Sequence, residues 1–103
     1  MDQNPEAPAR DWHFLLYVAG MTPNAEATHR RLEALVARHV GPEAVVAIVD
    51  LSQEPARARR DGIVAIPTVI RTRPAPTHTV IGDLTDTARA LQGLGIPEAP
   101  PRA

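Results

Sequence analysis

The chain has no cysteine. Disulfide staples, thiol–disulfide exchange and thiolate metal sites are therefore outside its chemistry. Aromatic residues are almost as scarce, at 3%, and consist of Trp12, Phe14 and Tyr17. A core must then be filled mainly by Leu, Ile, Val and Ala, for which the 44% hydrophobic content is sufficient. Neither sign of charge dominates. The net charge is −1, without the basic stripe that a nucleic-acid surface needs. No apolar run approaches the ~20 residues of a membrane span. The first residues, Met1-Asp2-Gln3-Asn4-Pro5-Glu6, are polar and acidic, unlike a secretion signal. Together these absences predict a soluble, cytoplasmic protein that binds neither nucleic acid nor membrane. Its 103 residues predict one domain. Proline, by contrast, is abundant: 11 residues, about twice the usual ~5%.

The stretch 14–24 organises the rest. Phe14-Leu15-Leu16-Tyr17-Val18-Ala19 is an unbroken apolar run, which predicts a strand covered on both faces at the centre of an α/β sheet. Gly20 stops it. Thr22-Pro23 then has the form of a helix start, a hydroxyl N-cap followed by proline at the first helical position. The spacing of Leu32, Leu35, Val36 and Val40 predicts a helix over 23–40, with Glu26, Arg30, Glu33 and Arg38 on its wet side. Gly41-Pro42 ends it. A second apolar run predicts a strand over 44–50. A short helix follows, with Ser52 as its cap, Pro55 in its first turn, Arg57, Arg59 and Arg60 toward its end, and little apolar face beyond Ala56 and Ala58.

Pro67 interrupts the next apolar tract, which a central strand tolerates only at its start. The third strand is therefore predicted to begin at Pro67, with 63–66 as its approach. Pro74-Ala75-Pro76 makes a turn into a fourth strand over 78–81, antiparallel because the connection is so short. A last helix is expected over 84–93, with Leu84, Ala88, Leu91 and Leu94 inward. Residues 1–11 read as a disordered lead, 12–95 as the domain, and 96–103 as a flexible proline-rich tail. The order βαβαββα is that of a thioredoxin-like α/β domain, and Ile66-Pro67-Thr68 sits where that fold carries its cis-proline.

A thioredoxin-like enzyme carries Cys-x-x-Cys after its first strand. Met21-Thr22-Pro23-Asn24 occupies that place here, so there is no nucleophile for disulfide exchange. Glutathione transferases use Ser or Tyr instead but need a second helical domain, for which the chain is too short. The histidines, His13, His29, His39 and His78, do not have the spacing of a metal clamp, and no metal or other cofactor is expected. Asp50 and Asp83 read as turn or cap residues. The cluster Arg57, Arg59 and Arg60 reads equally well as a solvated helix end or a surface for an acidic partner. These residues predict a small domain without an enzyme site, whose function lies in a surface.

Several tracts carry a resemblance. Leu16-Tyr17-Val18-Ala19-Gly20 with Thr22-Pro23-Asn24, then Val49-Asp50-Leu51, Ala65-Ile66-Pro67-Thr68 and Ile81-Gly82-Asp83-Leu84, closely resemble the KaiB family of circadian clock proteins, over about 14–95. The resemblance implies a non-enzymatic protein that binds the hexameric ATPase KaiC and, in cyanobacteria, captures KaiA. It also implies two folds: a thioredoxin-like monomer that binds KaiC, and a tetramer with a βαββααβ order, the difference lying from about Asp50 onward. By the resemblance, the partner surface involves Val45, Ala47, Ser52, Arg59 and Arg71. Pro67, Pro74, Pro76, Gly82 and Gly93 are the positions tied to switching; X-Pro bonds change isomer slowly. Local propensity favours the thioredoxin-like state, because 83–92 reads as a capped helix and Gly93 and Gly95 would weaken a terminal strand.

The chain departs from the cyanobacterial pattern at Ala47, which replaces a basic residue, at Pro74-Ala75-Pro76, which breaks a three-proline run, and at His78-Thr79, which replace a basic pair. These departures bear on KaiA capture and clock function more than on binding to a KaiC-like ATPase, and leave a role in stress or metabolic timing open. Two other readings compete with the KaiB-type module. One is the sensor domain of a clock-output histidine kinase, although no kinase sequence accompanies these residues. The other is a residual glutathione-dependent enzyme.

Overall fold

The computed structural model describes residues 7–97. Strand β1 (His13–Val18) leads into helix α1 (Pro23–His39), strand β2 (Val45–Asp50), the short helix α2 (Ala56–Arg60), strands β3 (Thr68–Arg73) and β4 (His78–Ile81), and helix α3 (Thr87–Leu94). The sheet order is β2-β1-β3-β4. β1 runs parallel to β2 and antiparallel to β3, and β3 is antiparallel to β4. The apolar run at 14–18 thus forms a central strand, as its composition requires.

Strand alternation divides the sheet into two unlike faces. Phe14, Leu16 and Val18 point to one side and pack with Leu32, Leu35 and Val36 of α1, with Leu91 and Leu94 of α3, and with Val69 and Trp12. This is the core. By register, the opposite, outer face carries Val45, Ala47 and Val49 of β2, Leu15 and Tyr17 of β1, Thr68 and Ile70 of β3, and Ile81 of β4. α2 is the helix on offer for that face. It has five residues and none of them is buried.

Local chemistry explains most element ends. The Thr22 hydroxyl accepts from the Ala25 amide at 3.1 Å, and Pro23 stands at the first helical position of α1. Gly95, at φ +66°, ends α3, and the Ile96 amide returns to the Leu91 carbonyl at 2.9 Å, the pattern of a Schellman cap. The Ile66–Pro67 bond is cis, as are Arg73–Pro74 and Ala75–Pro76.

Four expectations need correction. Within the lead read as disordered, Ala9–Asp11 forms a 3-10 turn, because Ala7 and Ala9 lie against the body of the domain and Trp12 must reach the core; residues 1–6 lie outside the described residues. Ile96, assigned to a flexible tail, is buried in the core; 98–103 likewise lie outside the described residues. α3 begins at Thr87 rather than at 84. The Asp83 carboxylate closes a turn on Thr85, Leu84 sits at φ +65°, which no helix accepts, and Asp86 is the next residue able to cap. As a result Ala88 is exposed, and Ala90 takes the inward place beside Leu91 and Leu94. Ser52 does not cap α2. It turns back to Asp50, and Pro55, which offers no hydroxyl, occupies the cap position.

Candidate functional site

The position of the missing thiols lies where β1 meets α1. Gly20, at φ +85°, turns the chain, and Met21 projects from the loop with 42% of its surface exposed. Ile66 and Pro67 face this loop across a cavity of about 160 Å³ that is also lined by Val18, Thr22 and Asn24. The loop is tied down by Asp50. Its carboxylate accepts from the Gly20 amide (2.7 Å), the Ser52 amide (2.9 Å) and the Ser52 hydroxyl (2.6 Å). The Ser52 hydroxyl first, then the Gly20 amide, hold the Asp50 carboxyl below the usual carboxylate range. Asp50 is thus a structural turn residue whose Oδ1 fastens two loops.

The outer face is fastened at one point. The hydroxyl of Tyr17 donates to Asp61 Oδ2 at 2.8 Å, at the C-terminal end of α2. Burial, and then this bond, raise the phenol above its ordinary value, so the proton stays on Tyr17. Asp61 is held below the carboxylate range by the same bond and then by Arg60 and Arg57, which approach it at 3.2 and 3.4 Å. A polar contact thus ties the C-terminal end of α2 to the sheet, at the end where Tyr17, Val49 and Thr68 are buried on the outer face. The large apolar side chains left open are spread over the surface: Val45 on β2 is 41% exposed, Ile81 on β4 56%, and Ile66 and Val64, between α2 and β3, 48% and 86%.

The sequence-predicted partner residues divide in two. Val45 and Ala47 lie on the outer face of β2, an edge strand. Ser52 follows that strand, Arg59 is on α2, and both are exposed. These four follow one another along β2, the loop after it and α2. Arg71 does not join them. Its register partner is Phe14, so it points to the core side, where it is 1% exposed. Its guanidinium donates to the carbonyls of Gly95 and Pro76, both at 3.1 Å, and stacks 4.8 Å over the Trp12 ring. Arg71 is a clamp between α3 and the β3–β4 turn, and its assignment as a surface contact is corrected by strand parity alone.

Of the positions that the sequence reading ties to switching, Pro67 immediately precedes β3, and its carbonyl accepts from the Gly82 amide at 2.9 Å. Pro74 and Pro76 form the β3–β4 turn, and Gly93 lies in α3 against Val80. The exposed apolar residues Met21, Val64, Ile66 and Ile81 escaped the sequence reading. Inside apolar tracts, nothing in the pattern marks which side chains remain uncovered. Among the described residues no group of three or more His, Asp or Glu converges as metal ligands, and no helix is long and apolar enough to cross a membrane.

Fold and site together define a thioredoxin-like domain whose thiol loop is replaced by Met21-Thr22-Pro23-Asn24 and whose second sheet face is half open. Comparison with known proteins places it further. The KaiB domain model matches residues 15–96. A circadian clock oscillator protein KaiB of Prochlorococcus marinus is 32% identical over 90 residues, covering 87% of this chain and 79% of that protein. The KaiB of Acaryochloris marina is 36% identical over 81 residues, covering 79% and 78%. The chain belongs to the KaiB family. Among solved structures it is similar to the N-terminal domain of Synechococcus elongatus SasA, with a TM-score of 0.67, 20% identity and coverage of 92% of this chain and 93% of that one. It is also similar to mitochondrial thioredoxin 3 of Saccharomyces cerevisiae, with a TM-score of 0.63, 16% identity and coverage of 82% and 77%. At these identities the likeness is one of fold.

Proposed function

We propose that this protein is a non-enzymatic, cytoplasmic binding module that docks on a KaiC-type hexameric ATPase and regulates its phosphorylation and ATPase cycle in circadian, stress or metabolic timing. The observation that supports this most directly is the outer flank. Val45 is 41% exposed on the edge strand β2, on the same sheet face as Ala47, and α2, which carries the exposed Arg59, has five residues and none buried. An exposed apolar patch with a charged rim is the anatomy of a docking surface. The docking residues in this reading are Val45, Ala47, Ser52 and Arg59. Pro67, Pro74, Pro76, Gly82 and Gly93 are the positions at which a change of fold would be controlled. The thioredoxin-like state is the monomeric, binding-competent one, and a tetramer belongs to the alternative fold. Capture of KaiA, where an organism has it, is a weaker extension because Ala47 and His78-Thr79 lack the basic side chains of the cyanobacterial pattern. The reading as a kinase sensor domain has only a shared fold in its favour.

The test is co-elution on a sizing column with the KaiC-type ATPase of the same organism, in ATP and in ADP. A complex in one nucleotide state is expected, and Val45→Glu should weaken it by at least tenfold while leaving the circular dichroism spectrum unchanged. No complex in either state overturns the reading.

A further inference from the structure

A second feature lies on the other side of the sheet and owes nothing to the proposed docking flank. Between α1 and the segment leading into α3 runs a groove of about 380 Å³. Arg31, Leu35 and Arg38 form one stripe of α1, at spacings of four and three residues, and His39 adjoins them. The opposite wall is Leu84 and Thr87.

Three properties make this groove more than a gap. First, its charge has one sign. Two arginines and a histidine line it and no carboxylate does, whereas Asp83 and Asp86 face the neighbouring depression with Arg89. Second, the cations are partly preorganised. Arg31 Nη1 donates to the Asp83 carbonyl at 3.0 Å, which holds the guanidinium across the groove with further N–H groups to spare. Nδ1 of His39 is shielded from solvent and has no hydrogen-bond partner. Third, the floor is apolar, made by Leu35 and Leu84.

From this we propose that the groove binds a phosphate monoester carrying a flat or apolar body, a ligand of nucleotide size. Two guanidiniums and the Thr87 hydroxyl present more donors than the two oxygens of a carboxylate can use. A terminal phosphate has three oxygens and close to two charges, which matches them. The volume exceeds what a bare phosphate fills, and the apolar floor accepts the body attached to it.

Adenosine 5′-monophosphate is the probe, titrated into the isotope-labelled full chain and followed by amide NMR, with adenosine and inorganic phosphate as parallel arms. The expected result is saturable movement of the Arg31, Arg38, His39 and Thr87 amides with the monophosphate. Adenosine and inorganic phosphate should each bind at least tenfold more weakly. Arg38→Gln alters an exposed side chain and should leave the fold intact while weakening the monophosphate at least tenfold; Arg31→Gln/Arg38→Gln should abolish the response. Equal binding of adenosine and the monophosphate would overturn the role of charge. Equal binding of inorganic phosphate would overturn the role of the floor. Shifts confined to other residues, or unchanged in Arg38→Gln, would overturn the site. Binding to the ATPase is not involved in any of these readouts, so the two proposals fail independently.

Discussion

Gly95→Ala is the substitution whose consequence the structure specifies most fully. Gly95 sits at φ +66°, in the left-handed region, where an alanine is disfavoured by about 1–2 kcal/mol. A Cβ at this position would also meet the His78 ring, 2.6 Å from Nε2 and 2.8 Å from Cδ2, and the Arg71 guanidinium at 3.1 Å. Neither neighbour yields freely. Arg71 is held by the carbonyls of Gly95 itself and of Pro76, and it lies against Trp12. The His78 ring is packed so that Nε2 is shielded without a partner. Forcing extra volume into such a site adds about 1–3 kcal/mol. The sum, about 2–5 kcal/mol, is a large share of the ~5–15 kcal/mol typical of a domain. Urea denaturation followed by circular dichroism should therefore show a lower midpoint with an unchanged slope. The double variant Gly95→Ala/His78→Ala separates the two terms: removing the ring relieves the collision but not the backbone penalty, so the substitutions should be non-additive by roughly 1–3 kcal/mol. A Gly95→Ala protein within about 0.5 kcal/mol of the parent, or strictly additive effects, would refute the reasoning.

Two further outcomes follow from the fastenings described above. Asp50, held below its ordinary value by Ser52 and Gly20, supplies stability that is fully present above the unfolded carboxylate value near pH ~4 and is lost as the pH falls through the lower folded value. Asp50→Asn should thus lower the melting temperature at pH 7, and the gap to the parent should narrow in acid; a gap independent of pH from 7 to 2 would contradict this linkage. Tyr17→Phe removes the bond to Asp61 that ties α2 to the sheet. Amide hydrogen exchange at 56–60 should speed up several-fold while exchange in α1 stays as it was. Uniform acceleration across the domain would show that the contact supports the whole fold, and no change would show that α2 is held by something else.

Much of this molecule could be read from its residues in order. The apolar run at 14–19 states that one strand is buried, because only a strand of that composition loses nothing by being covered on both sides, whereas the like run at 44–50 became an edge strand with only Val49 fully buried. Thr22-Pro23 and Gly41-Pro42 mark the ends of α1 through their own backbone chemistry, and the lack of cysteine removes thiol chemistry whatever the fold. The tracts shared with the KaiB family were likewise legible as strings. Where local signals competed, reading was only partly right: Leu84 faces inward as expected, yet the Asp83–Thr85 turn placed it at φ +65°, outside α3, and moved the helix start to Thr87 behind the Asp86 cap.

Other features had no local signal. Arg71 looked like any strand cation until the register of β3 against β1 set it opposite Phe14, inside the core. The partnership of Tyr17 with Asp61, 44 residues away, and the meeting of Arg31, Arg38 and His39 with Leu84 and Thr87, depend on how a helix lies over a sheet. Sequence by itself determines what each short segment prefers, since propensity, capping and alternation act over a few residues. Which side chains end up uncovered, and which charges share a cavity, is decided only by packing between segments distant in the chain.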